Sequence, residues 1–199
     1  MLGMGSGVEL YVGRCKKEEK MNITMEQLGE LIAQAKSGRV TRELLQAFLR
    51  NPHGHNGKGE YPVTVDYGKT IEEMIAAGRY DWKNGDINSK NFSVMGKGTV
   101  ETKLELVHLN KAASTKEVET YLEANGLRAA TLEELLEFGA TYPNIQREFP
   151  IVAIGSFWVV PDGDRSVPYL DRFGSRRALS LCWGDDDWDD VCRFLAVRK

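Results

Sequence analysis

Five aspartates, two tryptophans and two cysteines fall within the eleven positions of CWGDDDWDDVC, from Cys182 to Cys192. These residue types support three different chemistries. Clustered carboxylates are ligands that hard cations prefer, so the segment could hold calcium and, through WDD at 188–190, a sugar. Cys182 and Cys192 could form a redox pair, although no histidine lies near either in sequence to lower a thiol pKa. The third possibility is a recognition surface that displays aromatic, acidic and small side chains without fixed chemistry. The other candidate ligands lack company. His53 and His55 sit in a Gly- and Pro-containing stretch with no third ligand nearby, and His108 belongs to an alternating strand and reads as structural. No catalytic residue, metal ligand or cofactor is assigned from these patterns.

Which chemistry the segment performs depends on the elements that hold it. The chain has 199 residues with 42% hydrophobic content, enough for one domain and a small appendage. Its net charge of −3 comes from interspersed acids and bases, which disfavours nucleic acid as a partner. No apolar run approaches the roughly 20 residues that cross a bilayer, and the first residues lack the apolar core of a signal peptide. Three cysteines without a CxxC pair argue against a disulfide framework or a structural zinc site. A cytoplasmic protein that does not engage membranes is expected.

Residues 1–20 read as a flexible leader, residues 21–52 as a helical hairpin with Pro52 as its stop, and residues 53–60 as a linker. The main domain is expected over 61–199. Within it, VTVDYG reads as a strand, KTIEEMIAAGRYDW as an amphipathic helix, and KGTVETKLELVHLN as a half-buried strand. Two further helices follow, with capping-box spacings at Ser114/Glu117 and Thr131/Glu134 and C-terminal caps at Asn125-Gly126 and Gly139. PIVAIGSFWVV, VPYL, RALSLCW and CRFLAVRK read as strands, with PDGDR as a turn. Helices in the middle and strands at the end indicate an α+β domain with an antiparallel sheet.

The acidic residues change identity along the chain. All 18 glutamates lie at or before Glu148, eight of the 11 aspartates lie after it, and no lysine, glutamine or methionine occurs between 149 and 198. Aspartate favours turns and glutamate favours helices, which explains part of this shift but not the missing lysines.

FPIVAIGSFW, PDGDRSVPYL, the spaced LSLCW…W and the terminal RFLAVRK resemble the C-terminal region of the variable proteins of diversity-generating retroelements. The resemblance covers about residues 61–199 and is most specific from Ile151 onward; the helical hairpin is not part of it. It implies a C-type-lectin-like fold, of the kind shared with formylglycine-generating enzymes. In that family, adenine-directed mutagenesis diversifies selected codons. AAC-type codons so treated yield Asp, Ser, Tyr, Cys, Phe, Gly or Arg but not Lys, Glu, Gln, Met or Trp. Residues 169–192 fit that restriction except at Trp183 and Trp188. The depletion extends back to Phe149, upstream of the expected variable region at about 165–199, so mutagenesis is not its whole cause.

The resemblance implies a non-enzymatic binding protein for an unidentified macromolecular ligand. Its variable surface would comprise Tyr169, Asp171, Phe173, Arg177, Ala178, Ser180, Cys182, Asp185, Asp187, Asp190 and Cys192. Its framework would comprise Trp158, Leu179, Leu181, Trp183, Trp188, Arg193 and Phe194. Period-2 alternation turns Leu179, Leu181 and Trp183 toward the core and Ala178, Ser180 and Cys182 outward. A calcium-dependent lectin and an undiversified scaffold domain remain the competing readings.

Overall fold

A computed structural model describes residues 59–184 and 187–199. The leader, the hairpin, most of the linker, and Asp185 lie outside the described residues. Strand β1 (Glu60–Asp66) is followed by helix α1 (Ile71–Gly78), the short strand β2 (Trp82–Lys83) and strand β3 (Thr99–Val107). Helix α2 (Thr115–Ala124), strand β4 (Leu127–Ala129) and helix α3 (Leu132–Thr141) come next, and then a turn of 3-10 helix at Ile145–Arg147. Five strands complete the chain: β5 (Ile151–Val152), β6 (Trp158–Val159), β7 (Arg165–Phe173), β8 (Arg176–Trp183) and β9 (Arg193–Arg198). The domain is therefore α+β. Among the described residues no helix is long and apolar enough to cross a membrane.

The strands form one sheet in the order β1-β3-β9-β5-β7-β8-β2, with β4 also paired to β9 and β6 to β7. The sheet is mixed and not purely antiparallel: β5 runs parallel to β9, and β2 runs parallel to β8. The last strand lies inside the sheet, between β3 and β5, so the chain's end is secured by pairing on both sides. A long hairpin, β7–β8, extends from it through the two-residue turn Gly174-Ser175. Gly174 has φ +62°, the positive value such tight turns require.

Helices cover both faces. On one, α1 contributes Ile71, Met74 and Ile75 and α3 contributes Leu135, Leu136 and Phe138, all buried with Ile151, Leu170, Leu179, Leu181 and Leu195 of the sheet. On the other, α2 contributes Val118 and Leu122 to a second core with Val152, Val167, Tyr169, Trp188 and Phe194. The helix starts are as the sequence indicates. Thr70 and Glu73, and Ser114 and Glu117, cap α1 and α2 reciprocally. At α3 only the backbone half forms: Glu134 accepts from Thr131 N, while Thr131 Oγ1 has no partner among the described residues.

Two expected boundaries differ. Gly139 is not a cap but lies within α3, where a Cβ would come within 2.2 Å of Tyr80 Oη and 2.9 Å of Leu170 Cδ1. Glycine is there for close packing. PIVAIGSFWVV is not one strand but two short ones, because the chain turns at Gly155 directly beneath the Ala130 carbonyl, which a Cβ would approach to 2.5 Å. Ser156 then accepts from Leu132 N at 2.9 Å and supplies a donor-satisfying group at the start of α3.

Candidate ligand-binding surface

The β7–β8 register pairs Val167 with Cys182, Tyr169 with Ser180, Asp171 with Ala178, and Phe173 with Arg176. Directly opposed residues share a face, so these eight side chains line one side of the hairpin. Leu170, Leu179 and Leu181 line the other. The face that carries Tyr169 continues across the sheet, since Val152 pairs with both Tyr169 and Phe194, and Cys192 lies two residues before Phe194 on the same side. Of the expected variable positions, Tyr169, Asp171, Phe173, Ala178, Ser180, Cys182 and Cys192 thus fall on one face.

Sharing a face does not make them exposed. Phe173 is 77% exposed, Asp187 and Asp190 are exposed, and Asp171 and Cys182 are half-buried, but Tyr169, Ala178, Ser180 and Cys192 are all buried. The alternation holds; the expectation that outward means solvent does not. This sheet is covered on both sides, so the second face of the hairpin carries its own core, to which Tyr169 and Cys192 belong. Burial also acts on Asp171, whose carboxyl pKa is raised above the ordinary value by desolvation.

Arg177 departs furthest from expectation. It pairs with Arg172 on the opposite face and is only 6% exposed. Its guanidinium donates from Nε to Gln146 Oε1 at 3.1 Å, from Nη1 to Gly78 O at 2.6 Å and from Nη2 to Gly139 O at 2.5 Å, and it lies 4.9 Å from the Tyr80 ring centroid. Gly78 is the last residue of α1, and Gly139 lies in the last turn of α3. A cation is thus held where two helix C-termini converge, and their orphan carbonyls and negative dipole ends take the place of a carboxylate. Arg177 is a framework residue.

The expected framework is otherwise internal. Leu179, Leu181, Trp188, Arg193 and Phe194 are buried. Trp158 and Trp183 are half-buried and both pair with Ser166, at the margin of the first core. Arg193 stacks over Phe149 at 4.6 Å and donates to Val191 O at 2.8 Å; burial lowers its pKa to about 10.

The acidic segment is clamped at its base. Trp188 exchanges backbone hydrogen bonds with Ala113 at 2.8 and 3.1 Å and packs edge-on against Phe194 at 5.9 Å. Its Nε1 donates to Thr115 Oγ1 at 2.9 Å, and Thr115 donates in turn to Gly184 O. His108 bonds through Nε2 to Asp190 O at 2.7 Å. Among the described residues no three His, Cys, Asp or Glu side chains converge as a metal site would need. Cys182 and Cys192 lie on β8 and just before β9, with β7 and β5 between those strands, so about 14 Å of sheet separates their lines. That is too far for a disulfide between them.

Two exposed residues at this surface are absent from the sequence-derived set. Trp82, 46% exposed, pairs with Ala178 from the short parallel strand β2, and Arg176 is the exposed cross-strand neighbour of Phe173. A tryptophan in the polar run RYDWKNGD is a signal of surface aromatic character, but only the sheet order brings it beside β8. Compared with known proteins, the chain matches no family model, no curated protein and no solved structure.

Proposed function

We propose that this chain is a non-enzymatic binding protein: a C-type-lectin-like scaffold whose ligand surface is diversified by a retroelement's adenine-directed mutagenesis. One observation carries the reading. Seven of the eleven expected variable positions, drawn from β7, β8 and the approach to β9, share one face of the sheet, while Leu170, Leu179 and Leu181 alternate with them onto the other. Residues spaced to alternate along two paired strands are what a displayed surface requires. The exposed part of that face is the hairpin end, with Phe173 outermost, and the exposed Asp187 and Asp190 lie on the connection from β8 to β9.

Burial then grades the positions. Phe173 meets mostly solvent and accepts any side chain, whereas Tyr169 and Cys192 contribute to a core and accept few. On the same reading the protein acts in the cytoplasm on a macromolecular ligand, without a cofactor.

The test is to sequence the 3′ end of the gene across a population of the source, and to search flanking DNA for a near-copy repeat with adenines at the differing codons. Differences concentrated at Asp171, Phe173, Cys182 and Asp187, with exchanges among small residues only at the buried Ala178 and Ser180 and with Arg177, Leu179, Trp188 and Phe194 constant, are expected. Uniform codons and no repeat would sink the proposal.

A further inference from the structure

The β7–β8 hairpin is fastened from the side of α1 and α3, away from the face that carries Asp171, Phe173 and Ala178. There the 3-10 turn Ile145–Arg147 reaches the hairpin's main chain: Gln146 Nε2 donates to Asp171 O at 2.6 Å and to Ala178 O at 3.1 Å, and Arg147 donates to Ser175 O. Asp171 and Ala178 are cross-strand partners, so one amide holds both strands at a single rung. The segment around β2 binds the same stretch from the sheet edge. Asp81 N donates to Arg177 O at 3.0 Å, Asn84 N donates to Leu179 O at 2.9 Å, and Arg177 N donates to Asp81 Oδ2 at 2.7 Å.

Side-chain chemistry fixes the direction of this hold. Gln146 is 1% exposed, and its Oε1 accepts from Arg177 Nε at 3.1 Å. A guanidinium only donates, so the amide oxygen must face Arg177 and the amide nitrogen must face the two carbonyls. The turn is itself anchored: Ile145 packs against the first core, Ile145 N donates to Tyr142 O at 3.2 Å, and Arg147 N donates to Asn144 O at 3.0 Å. Arg177 shares this side with Gln146, whereas the side chains of Asp171, Phe173 and Ala178 alternate onto the other. The bonds from Gln146, Arg147, Asp81 and Asn84 named above end on main-chain atoms of the hairpin, which a change of side chain at the displayed positions does not remove.

We infer that Gln146, Arg147 and Asp81 are positioning residues for the displayed surface: they fix the course of the hairpin through its main chain, so that the side chains at 171, 173 and 178 can change without moving the strands that carry them. This rests on the binding-protein reading and divides the labour within it. Strand order ordinarily depends on cross-strand side-chain pairs. Here the additional hold comes from the face turned away from the ligand, and it is the same whichever side chains the other face carries. A surface already ordered in the free protein loses less conformational freedom on binding, which favours affinity for any ligand its side chains fit. Arg147 and Asp81 are themselves exposed, where single hydrogen bonds add little to global stability, so their local effect is separable from folding.

The experiment is native-state amide hydrogen exchange, followed by nuclear magnetic resonance on the full chain without ligand, with melting temperatures measured in parallel. Arg147→Ala and Asp81→Ala should each raise exchange at Arg176, Arg177 and Ala178 about fivefold, with exchange in β9 and the melting temperature unchanged. Phe173→Ser and Ala178→Ser, at displayed positions, should leave the amides of Arg176 and Arg177 as they are. Gln146→Glu keeps an acceptor for Arg177 but sets a carboxylate against two carbonyls, and should raise exchange at the Asp171–Ala178 rung; the two exposed variants decide the matter if this one fails to fold. Hairpin amides indifferent to Arg147→Ala and Asp81→Ala, a rise shared equally by β9, or a rise in Phe173→Ser as large as in Arg147→Ala would each overturn the positioning role. None of these results involves gene variability, so uniform codons in the population would refute the binding reading while the exchange result stands.

Discussion

Arg176 and Arg177 are neighbours in β8 and share a side-chain chemistry, yet one is exposed and the other is among the most internal charges of the domain. Their difference is that of the two hairpin faces. Arg177 points to the face covered by α1 and α3, where two helix C-termini await a cation. Arg176 points to the face covered by α2 and the Trp188 segment, and it lies beyond the reach of that cover. The second face is itself divided: Tyr169, Ser180 and Cys192 sit under the cover, while Phe173, Arg176 and Trp82 extend past it. Function is thus assigned by position along the strand as much as by face.

Substitutions at the two arginines break the comparison most sharply. Arg177→Ala should destabilise the domain by about 3–5 kcal/mol in chemical denaturation, because Gln146 and two helix-end carbonyls lose their donor in a buried setting. Arg176→Ala should change stability by less than about 0.5 kcal/mol. Phe194→Ala, under the cover, should cost about 3–5 kcal/mol, and the half-buried Trp183→Ala distinctly less. Gly139→Ala should cost about 1–3 kcal/mol by thermal melt, since its methyl meets Tyr80 and Leu170. Thr115→Val leaves Trp188 Nε1 without its acceptor and should cost about 1 kcal/mol.

The smallest effect sharpens the boundary between covered and open. Asp171 has a raised pKa in the folded state, so the native protein holds its proton more tightly than the unfolded chain and loses stability as pH rises above the ordinary value of 3.8. Asp171→Asn should therefore stabilise the domain at pH 7, and the gain should vanish near pH 3, as read by paired melts.

Much of this arrangement was legible in the sequence, because strand alternation and helix capping are local. The three described helices, the separation of Leu179 and Leu181 from Ser180 and Cys182, and the internal roles of Trp188 and Phe194 follow from spacing and apolar character. What was not legible depends on sheet order and on what lies above each face. Nothing in RRALSLCW distinguishes an arginine that caps two helices from one that meets solvent, since the carbonyls of Gly78 and Gly139 are 99 and 38 residues away. Alternation likewise cannot reveal that the second face is covered, or that a two-residue strand from the Asp81–Asn84 turn supplies Trp82. The loss of cap function at Gly139 has the same origin: its neighbour is Tyr80, distant in sequence.

The most direct test of the division along the hairpin is a proteolysis-coupled display library in which positions 82, 171, 173, 176, 177, 179, 180 and 194 are each saturated and folding is read for every variant. The account predicts near-complete tolerance at Trp82, Phe173 and Arg176, partial tolerance at Asp171, restriction to small residues at Ser180, and intolerance at Arg177, Leu179 and Phe194. If Phe173 and Arg176 proved as intolerant as Arg177, the open end would be structural and the binding surface would have to lie elsewhere.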